Sequence, residues 1–151
     1  MNKKILALSV HPNLSGNFTN GDIKKSFASN IILDELESHS EITIHKLGEE
    51  YPDYNIDVKR EQDLLANHNH ILLIGPIYWY SLPAIAKQWL DEVLLYGWAY
   101  GSEGKALASN TIQLVLTSGS ALSEYSQDDI GNTIDELFIA YQRSFEYCGM
   151  T

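Results

Sequence analysis

The chain has 151 residues, a formal net charge of −10 at pH 7 and one cysteine. Its length fits a single domain, and its hydrophobic content of 44% is that of a folded globular protein rather than a disordered chain. The acidic charge argues against binding to nucleic acid or to an anionic membrane. The single cysteine excludes an internal disulfide and favours a reducing compartment. We therefore expect one cytoplasmic domain over residues 1–151.

The first part of the chain alternates short apolar runs with helical patterns. Ile5–Val10 is a continuous apolar run, typical of a central parallel strand. A polar loop over residues 11–21 precedes an amphipathic helix from about Asp22 to Ser38. From residue 41 to 47 apolar and polar side chains alternate, with His45 among the polar ones, which is typical of a more exposed strand.

The same order continues after a loop over residues 48–56. A short helix near Val58–Asn67 leads to a buried strand at His70–Gly75, and a helix at Pro83–Tyr96 follows it. Thr111–Leu116 is the next strand, and a last helix runs from about Asp129 to Tyr147. The order βαβαβαβα with short links predicts an α/β domain with a doubly wound parallel sheet and helices on both faces.

Three of these strands are followed by loops of unusual composition. In an open α/β sheet the carboxyl ends of the strands form the edge at which ligands bind. The first loop contains His11 and, before a helix start, Asn17-Phe18-Thr19-Asn20. Backbone N–H groups and polar side chains at a helix start can hold an anion. The same residues also suit a helix cap and a turn, and the sequence leaves both interpretations open.

The second and third loops favour a flat ligand. Pro76-Ile77-Tyr78-Trp79 offers exposed aromatic rings and backbone amides, as a heteroaromatic ligand requires. The alternative is that Trp79 and Tyr80 are core or interface residues. Thr117-Ser118-Gly119-Ser120 is small and rich in hydrogen-bond donors, so a ligand could approach its backbone closely, although a simple turn has the same composition.

Other chemistries have little support. No metal site is expected, because the histidines lack a plausible spacing with carboxylates or cysteine. No GxSxG segment marks a serine nucleophile. Cys148 has no neighbouring base, which favours a buried structural thiol over a reactive one.

At the three loops the sequence resembles the flavodoxin-like NAD(P)H:quinone oxidoreductases. The resemblance covers essentially the whole chain and is carried by SVHPNLSGNFTN, YPDYNID, GPIYWYSLPAIAKQWLDEVLLYGWAYG, LTSGS and EYCGM. The chain is most similar to the flavin-binding ancillary proteins of bacterial glutathione-gated potassium efflux systems and to general stress oxidoreductases. The resemblance implies a flavodoxin-like sheet of order 2-1-3-4-5 whose last strand is missing here. Either the chain is truncated after Thr151 or the sheet stops at four strands.

The resemblance implies an FMN site, with FAD as the less favoured flavin. The phosphate and ribityl chain would be held by His11, Asn17, Phe18, Thr19 and Asn20. The isoalloxazine ring would lie along Pro76, Ile77, Tyr78 and Trp79, with backbone donors near its N5 atom. Its pyrimidine edge would meet Thr117, Ser118, Gly119 and Ser120, and Tyr125, assigned as the catalytic residue, would close over that end. The family usually has serine at position 17 and glycine at position 120, so Asn17 and Ser120 weaken the match there.

The implied activity is hydride transfer from NAD(P)H to the flavin, followed by two-electron reduction of a quinone. The implied assembly is a homodimer with Trp98 and Tyr100 at its interface. The alternative is an FMN-binding regulatory subunit that docks on a potassium-efflux transporter at the inner face of the membrane. An electron-transfer flavodoxin is less favoured, because the aromatic loop after Pro76 and the GWAYG segment do not suit it.

Overall fold

A computed structural model describes residues 4–12 and 27–151 of the chain. The described residues form one four-stranded sheet of order β2-β1-β3-β4, in which every neighbouring pair is parallel. The strands are β1 Ile5–Ser9, β2 Ile42–Lys46, β3 His70–Pro76 and β4 Thr111–Thr117. The parallel α/β architecture and the order of the first four strands are therefore confirmed.

Six α-helices lie in the described part of the chain, with a short 3₁₀ helix at Leu122–Glu124. They are α1 Phe27–Glu37, α2 Leu47–Glu50, α3 Val58–Ala66, α4 Ala84–Val93, α5 Ile134–Leu137 and α6 Ile139–Tyr147. The predicted start of the first helix at Asp22 lies outside the described residues. Helix α3 begins where the sequence predicts, because the Asp57 carboxylate accepts a hydrogen bond from the Arg60 N–H at 3.0 Å.

The predicted helix from Asp129 to Tyr147 is wrong in its first turns. Gly131 has φ +79°, a left-handed conformation that the interior of a right-handed α-helix does not contain. The helical chain begins only after Thr133, whose hydroxyl accepts from the Glu136 N–H at 3.3 Å while the Glu136 carboxylate accepts from the Thr133 N–H at 2.8 Å. This reciprocal cap fixes the start of α5.

The predicted helix Pro83–Tyr96 is shorter than expected. Helix α4 ends at Val93, and a loop closed by a hydrogen bond from the Gly97 N–H to the Tyr100 carbonyl (2.9 Å) follows it. Gly104 lets the chain pass close to this loop, since a Cβ atom at that position would lie 2.1 Å from the Tyr100 carbonyl oxygen. The glycines of this segment therefore shape a compact loop beside the end of α4.

Side chains of the sheet alternate between two apolar layers. Leu6 and Leu8 of β1 are buried in the larger core, which also contains residues of α3, α4 and α6. Ala7 faces the opposite layer, where it packs with Leu33 of α1 and Ile74 of β3. Helices thus cover both faces of the sheet, as the continuous apolar runs predict.

A buried polar cluster connects β2 to the helices of the larger core. Glu61 of α3 is 1% exposed, and its Oε1 atom accepts hydrogen bonds from His45 Nε2 (2.8 Å) and Tyr51 Oη (2.7 Å). Its Oε2 atom accepts from Trp89 Nε1 at 2.9 Å. His45 is therefore buried, contrary to the expectation of an exposed strand, because Tyr51 and α3 cover that face of β2.

The cluster keeps the buried carboxylate ionised. Desolvation raises the pKa of Glu61, but the hydrogen bonds from His45, Tyr51 and Trp89 outweigh it and hold the pKa below its ordinary value. Burial, and then the hydrogen bond to Glu61, raises the pKa of the Tyr51 hydroxyl well above its ordinary value. Three donors with two acceptor oxygens make Glu61 hard to replace by a neutral residue.

We expect Glu61→Gln to lower the free energy of unfolding by about 2 kcal/mol near neutral pH, since the amide cannot accept all three hydrogen bonds. Because the folded pKa of Glu61 is lowered, its contribution to stability is present above the unfolded pKa of about 4.3 and is lost as pH falls through the folded value. The difference between wild type and variant should therefore shrink on acidification. Urea unfolding at several pH values measures it.

The matched control for this measurement is Glu103→Gln, which neutralises an exposed carboxylate. We expect its unfolding free energy to stay within about 0.5 kcal/mol of the wild type. A Glu61→Gln deficit that stays constant between about pH 7 and about pH 3 would show that the carboxylate charge contributes nothing to the stability of the cluster.

Candidate functional site

The ends of β1, β3 and β4 form a continuous edge at which the predicted loops begin. Pro76 lies opposite Thr117 in the register of β3 and β4, and the Ile77 N–H donates to the Thr117 carbonyl at 2.8 Å. On the other side of β3, the Val10 N–H donates to the Ile74 carbonyl at 2.8 Å. Backbone hydrogen bonds thus bring all three loops to the same edge of the sheet.

The loops after β1 and β3 contact each other through two rings. His11 and Tyr78 meet edge to face, with ring centroids 6.5 Å apart and an angle of 68° between the rings. Nδ1 of His11 lies 3.0 Å from the Pro12 carbonyl, so this nitrogen carries the proton and Nε2 is left as an acceptor. Desolvation lowers the pKa of His11 and raises the pKa of Tyr78. Both side chains are therefore neutral near pH 7.

A tight turn from Tyr78 to Ser81 is the most unusual backbone feature of this edge. Tyr78 and Ser81 exchange two backbone hydrogen bonds of 2.8 and 3.0 Å, and the two residues between them have positive φ, 49° at Trp79 and 62° at Tyr80. Left-handed conformations cost residues other than glycine roughly 1–2 kcal/mol each. Such strain concentrates at functional sites, where the surrounding structure maintains it.

The side chains of this turn do not offset the strain by packing. Trp79 is 94% exposed and Tyr80 is 52% exposed, so neither is a core residue. Burial of a large aromatic ring is normally strongly favourable, and two such rings in solvent beside each other are typical of a binding surface. This result removes the core interpretation of Trp79 and Tyr80 that the sequence left open.

The backbone donors of the turn differ from those that the sequence analysis selects. The N–H groups of Ile77 and Tyr78 are already used, by the Thr117 and Ser81 carbonyls. Within the described residues, the N–H groups of Trp79 and Tyr80 have no hydrogen-bond partner. Tyr80 is thus a site candidate that the sequence analysis missed. The signal in the sequence was the run of three aromatic residues, Tyr78-Trp79-Tyr80, before Ser81-Leu82-Pro83.

The third loop is ordered by its own hydroxyl groups. Ser118 Oγ lies 2.6 Å from Tyr125 Oη and accepts from the Ser120 N–H at 3.0 Å. Thr117 Oγ1 lies 3.4 Å from Oγ of Ser29, a buried residue of α1. Tyr125 is therefore beside the Thr117–Ser120 loop, where the resemblance places it, while Gly119 and Ser120 remain exposed.

The other predicted site residues are not described by the structure, and the cleft nearest the turn is lined by different residues. Asn17, Phe18, Thr19 and Asn20 lie outside the described residues. A cleft of about 630 Å³ opens beside the Tyr78–Ser81 turn, lined by residues of α4 and α6 together with Tyr100. Tyr100 also contacts the rings of Tyr96 and Tyr147, which are 70% and 72% exposed. None of the predicted flavin-binding residues in the described part of the chain lines this cleft.

Two further observations concern the described residues alone. They contain no group of three or more histidine, cysteine, aspartate or glutamate side chains that could hold a metal ion. No helix in this part of the chain is long and apolar enough to cross a membrane. Cys148 is 6% exposed, and burial raises the pKa of its thiol, which confirms the prediction of a buried cysteine.

Proteins of similar sequence align with most of this chain. An NAD(P)H oxidoreductase of Bacillus subtilis, YrkL, which is uncharacterised, is 39% identical over 97% of this chain and 80% of its own length. The glutathione-regulated potassium-efflux system ancillary protein KefG of Enterobacter sp. is 37% identical over 84% of this chain and 64% of its own length.

Solved structures have the same fold. The general stress protein 14 of Treponema denticola, in complex with FMN, superimposes with a TM-score of 0.86 at 36% identity, over 98% of this chain and 80% of that one. An NADPH-quinone reductase of P. pentosaceus superimposes with a TM-score of 0.81 at 25% identity, over 99% of this chain and 80% of that one.

A protein family described by its flavodoxin-like fold matches residues 3–151. The strand order β2-β1-β3-β4, the helices on both faces and the identity to oxidoreductases agree with this match. The chain therefore belongs to the flavodoxin-like family that contains the NAD(P)H oxidoreductases and quinone reductases.

Proposed function

We propose that the chain is an FMN-dependent NAD(P)H:quinone oxidoreductase. The observation that supports this most strongly is the turn at the end of β3. There an exposed indole lies at the carboxyl edge of the sheet beside two N–H groups that have no partner among the described residues. A relative of 36% identity binds FMN, and another similar protein is an NADPH-quinone reductase.

The residues at this edge fit the chemistry of a flavin. Trp79 offers a flat aromatic surface, and the N–H groups of Trp79 and Tyr80 offer donors to a ring edge rich in acceptors. FMN, when bound, would accept a hydride from NAD(P)H and pass two electrons to a quinone. The protein's part in such a reaction is to orient the ring, set its electrostatic environment and admit the substrates in turn.

Each loop has a separate task in this proposal. Pro76, Ile77, Tyr78 and Trp79 would line the isoalloxazine ring, and His11 with Asn17, Phe18, Thr19 and Asn20 would hold the ribityl phosphate. Thr117, Ser118, Gly119 and Ser120 would meet the pyrimidine edge, where donors stabilise negative charge on a reduced ring. The Tyr125 hydroxyl, 2.6 Å from Ser118 Oγ, would be a proton donor at that end.

A second copy of the chain would complete the site. Trp98 and Tyr100 lie half-buried in the compact loop after α4, and Tyr100 contacts the exposed rings of Tyr96 and Tyr147. Exposed aromatic clusters of this kind are enriched at protein interfaces. We therefore infer a homodimer whose interface includes Trp98 and Tyr100.

A regulatory role is the second candidate function, and the similarity to KefG supports it. In that case the chain would bind FMN and dock on a potassium-efflux transporter at the inner face of the membrane, and turnover would be incidental. The two candidates share the flavin site and differ in whether NAD(P)H reduces the bound flavin.

We expect the purified protein to bind FMN, to lose the visible flavin absorbance when NADPH is added anaerobically, and to regain it when a soluble quinone follows. Absorbance spectroscopy in a stopped-flow instrument measures both half-reactions. If FMN binds but NADPH does not reduce it, the regulatory role is favoured. If added FMN does not bind at all, both proposals fail.

We expect Trp79→Ala to weaken FMN binding about tenfold, since an aromatic contact contributes roughly 0.5–1.5 kcal/mol. Trp79→Gly should weaken it equally but unfold with a free energy about 1 kcal/mol higher than Trp79→Ala, because glycine adopts φ 49° without strain. Fluorescence titration with FMN and urea unfolding measure the two effects.

The control for the flavin effect is Trp89→Phe, which removes the buried indole N–H from Glu61. This variant should lose stability and keep its FMN affinity, since Trp89 is buried in the core and its side-chain hydrogen bond is to Glu61 rather than to a loop of the sheet edge. Equal FMN affinities for Trp79→Ala and wild type would contradict the assignment of the Tyr78–Ser81 turn to the flavin.

A further inference from the structure

Tyr141 of α6, 60 residues after Ser81 in the sequence, contacts the Tyr78–Ser81 turn. The residue is 8% exposed, and its ring packs against Phe138 with centroids 5.7 Å apart. Its hydroxyl oxygen lies 2.8 Å from Ser81 Oγ and 3.4 Å from the backbone nitrogen of Leu82. A buried tyrosine hydroxyl normally has a hydrogen-bond partner, and here both partners belong to the end of the turn.

The direction of one of the two hydrogen bonds is fixed. The Leu82 N–H can only donate, so Tyr141 Oη accepts from it, while either hydroxyl can be the donor in the bond between Tyr141 and Ser81. Among the described residues, Tyr141 is the only side chain that hydrogen-bonds to residues 78–82. Leu82 itself is 5% exposed and directly precedes Pro83, the cap of α4.

The turn needs such an anchor because its own contacts are few. Its two central residues have strained backbone conformations and exposed rings, and only the two hydrogen bonds between Tyr78 and Ser81 close it. The first end of the turn is held by the hydrogen bond from Ile77 to Thr117. The second end depends on the Tyr141 hydroxyl.

We propose that Tyr141 is a positioning residue, which holds the Tyr78–Ser81 turn in the left-handed form that presents Trp79 and the N–H groups of residues 79 and 80 to the flavin. This inference rests on the proposed FMN function. The Tyr141 hydroxyl bonds to Ser81 and Leu82 rather than to residues 79 and 80, so it acts through the end of the turn. Fixing the second end selects the strained conformation over the unstrained alternatives of Trp79 and Tyr80.

The test uses Tyr141→Phe, which keeps the buried ring and removes only the hydroxyl. In the flavin-free protein, the amide hydrogens of Tyr78 and Ser81 should exchange roughly three- to tenfold faster, the factor expected for one net hydrogen bond. The Ile77 amide, which is bonded to Thr117, should be unchanged. The dissociation constant of FMN should rise by a similar factor. Hydrogen exchange followed by NMR and fluorescence titration measure these effects.

Two variants make the result specific. Ser81→Ala removes the other partner of the same hydrogen bond, so it should give a similar change, and the double variant should be no worse than the larger single effect. Tyr147→Phe is the matched control: its ring contacts Tyr100, and its hydroxyl has no hydrogen-bond partner within the described residues. It should leave both amide exchange and FMN affinity unchanged.

Unchanged exchange of the Tyr78 and Ser81 amides in Tyr141→Phe overturns the inference. So does an unchanged FMN dissociation constant, when the wild type binds FMN, because a merely structural role would lower stability without moving affinity. If the wild type binds no FMN, the proposed function fails separately. Faster exchange then still supports the anchoring of the turn by Tyr141, and unchanged exchange still overturns it.

Discussion

Strand β3 hydrogen-bonds to β1 on one side and to β4 on the other, and the candidate site depends on where that strand ends. The register places Pro76 opposite Thr117, and the next residue, Ile77, still pairs with the Thr117 carbonyl. Because the strands are parallel, the loops after all three begin at one edge. The hydrogen bond of Ile77 to Thr117 sets the direction in which the chain leaves the sheet, and the turn from Tyr78 to Ser81 then reverses it.

The reversal places two aromatic residues where glycine or asparagine is usually found. Trp79 and Tyr80 have positive φ and exposed rings, so the turn is unfavourable in isolation and depends on its two ends. The first end belongs to the sheet through Ile77. The second is bonded to Tyr141 of α6, so a helix near the end of the chain influences the geometry of a loop near its middle.

A buried cluster around Glu61 connects α4 to α3 and to β2. Helix α4 follows the turn directly after Pro83, and Trp89 in its middle donates to Glu61 of α3. The same carboxylate accepts from His45 of β2 and from Tyr51, so four segments share one ionised group. Removing a partner leaves a buried donor or a buried charge unpaired, which makes such a cluster a strong constraint on the relative positions of its elements. The position of α4 is thereby tied to the sheet that carries the loops.

By itself, the sequence determined the architecture and the edge of the sheet at which the predicted loops meet. The apolar runs at Ile5–Val10 and His70–Gly75 are typical of central strands, and the alternation of strands and helices then predicts a parallel sheet with its loops at one edge. The aromatic segment after Pro76 and the small polar segment at Thr117–Ser120 were correctly predicted to lie there. Their roles toward a flavin stay predictions, as do those of Asn17–Asn20.

Only the tertiary structure decided which groups of these segments are available. Among the described residues, the backbone N–H of Tyr78 is hydrogen-bonded inside the turn and those of Trp79 and Tyr80 are not. The sequence could not show this, because a local pattern does not reveal a turn with a strained backbone conformation. The burial of His45 and the contact of Tyr141 with Ser81 were missed for a related reason. The partners in these contacts are separated by 16 and 60 residues, and such pairs are set by packing of distant elements rather than by the periodicity of either one.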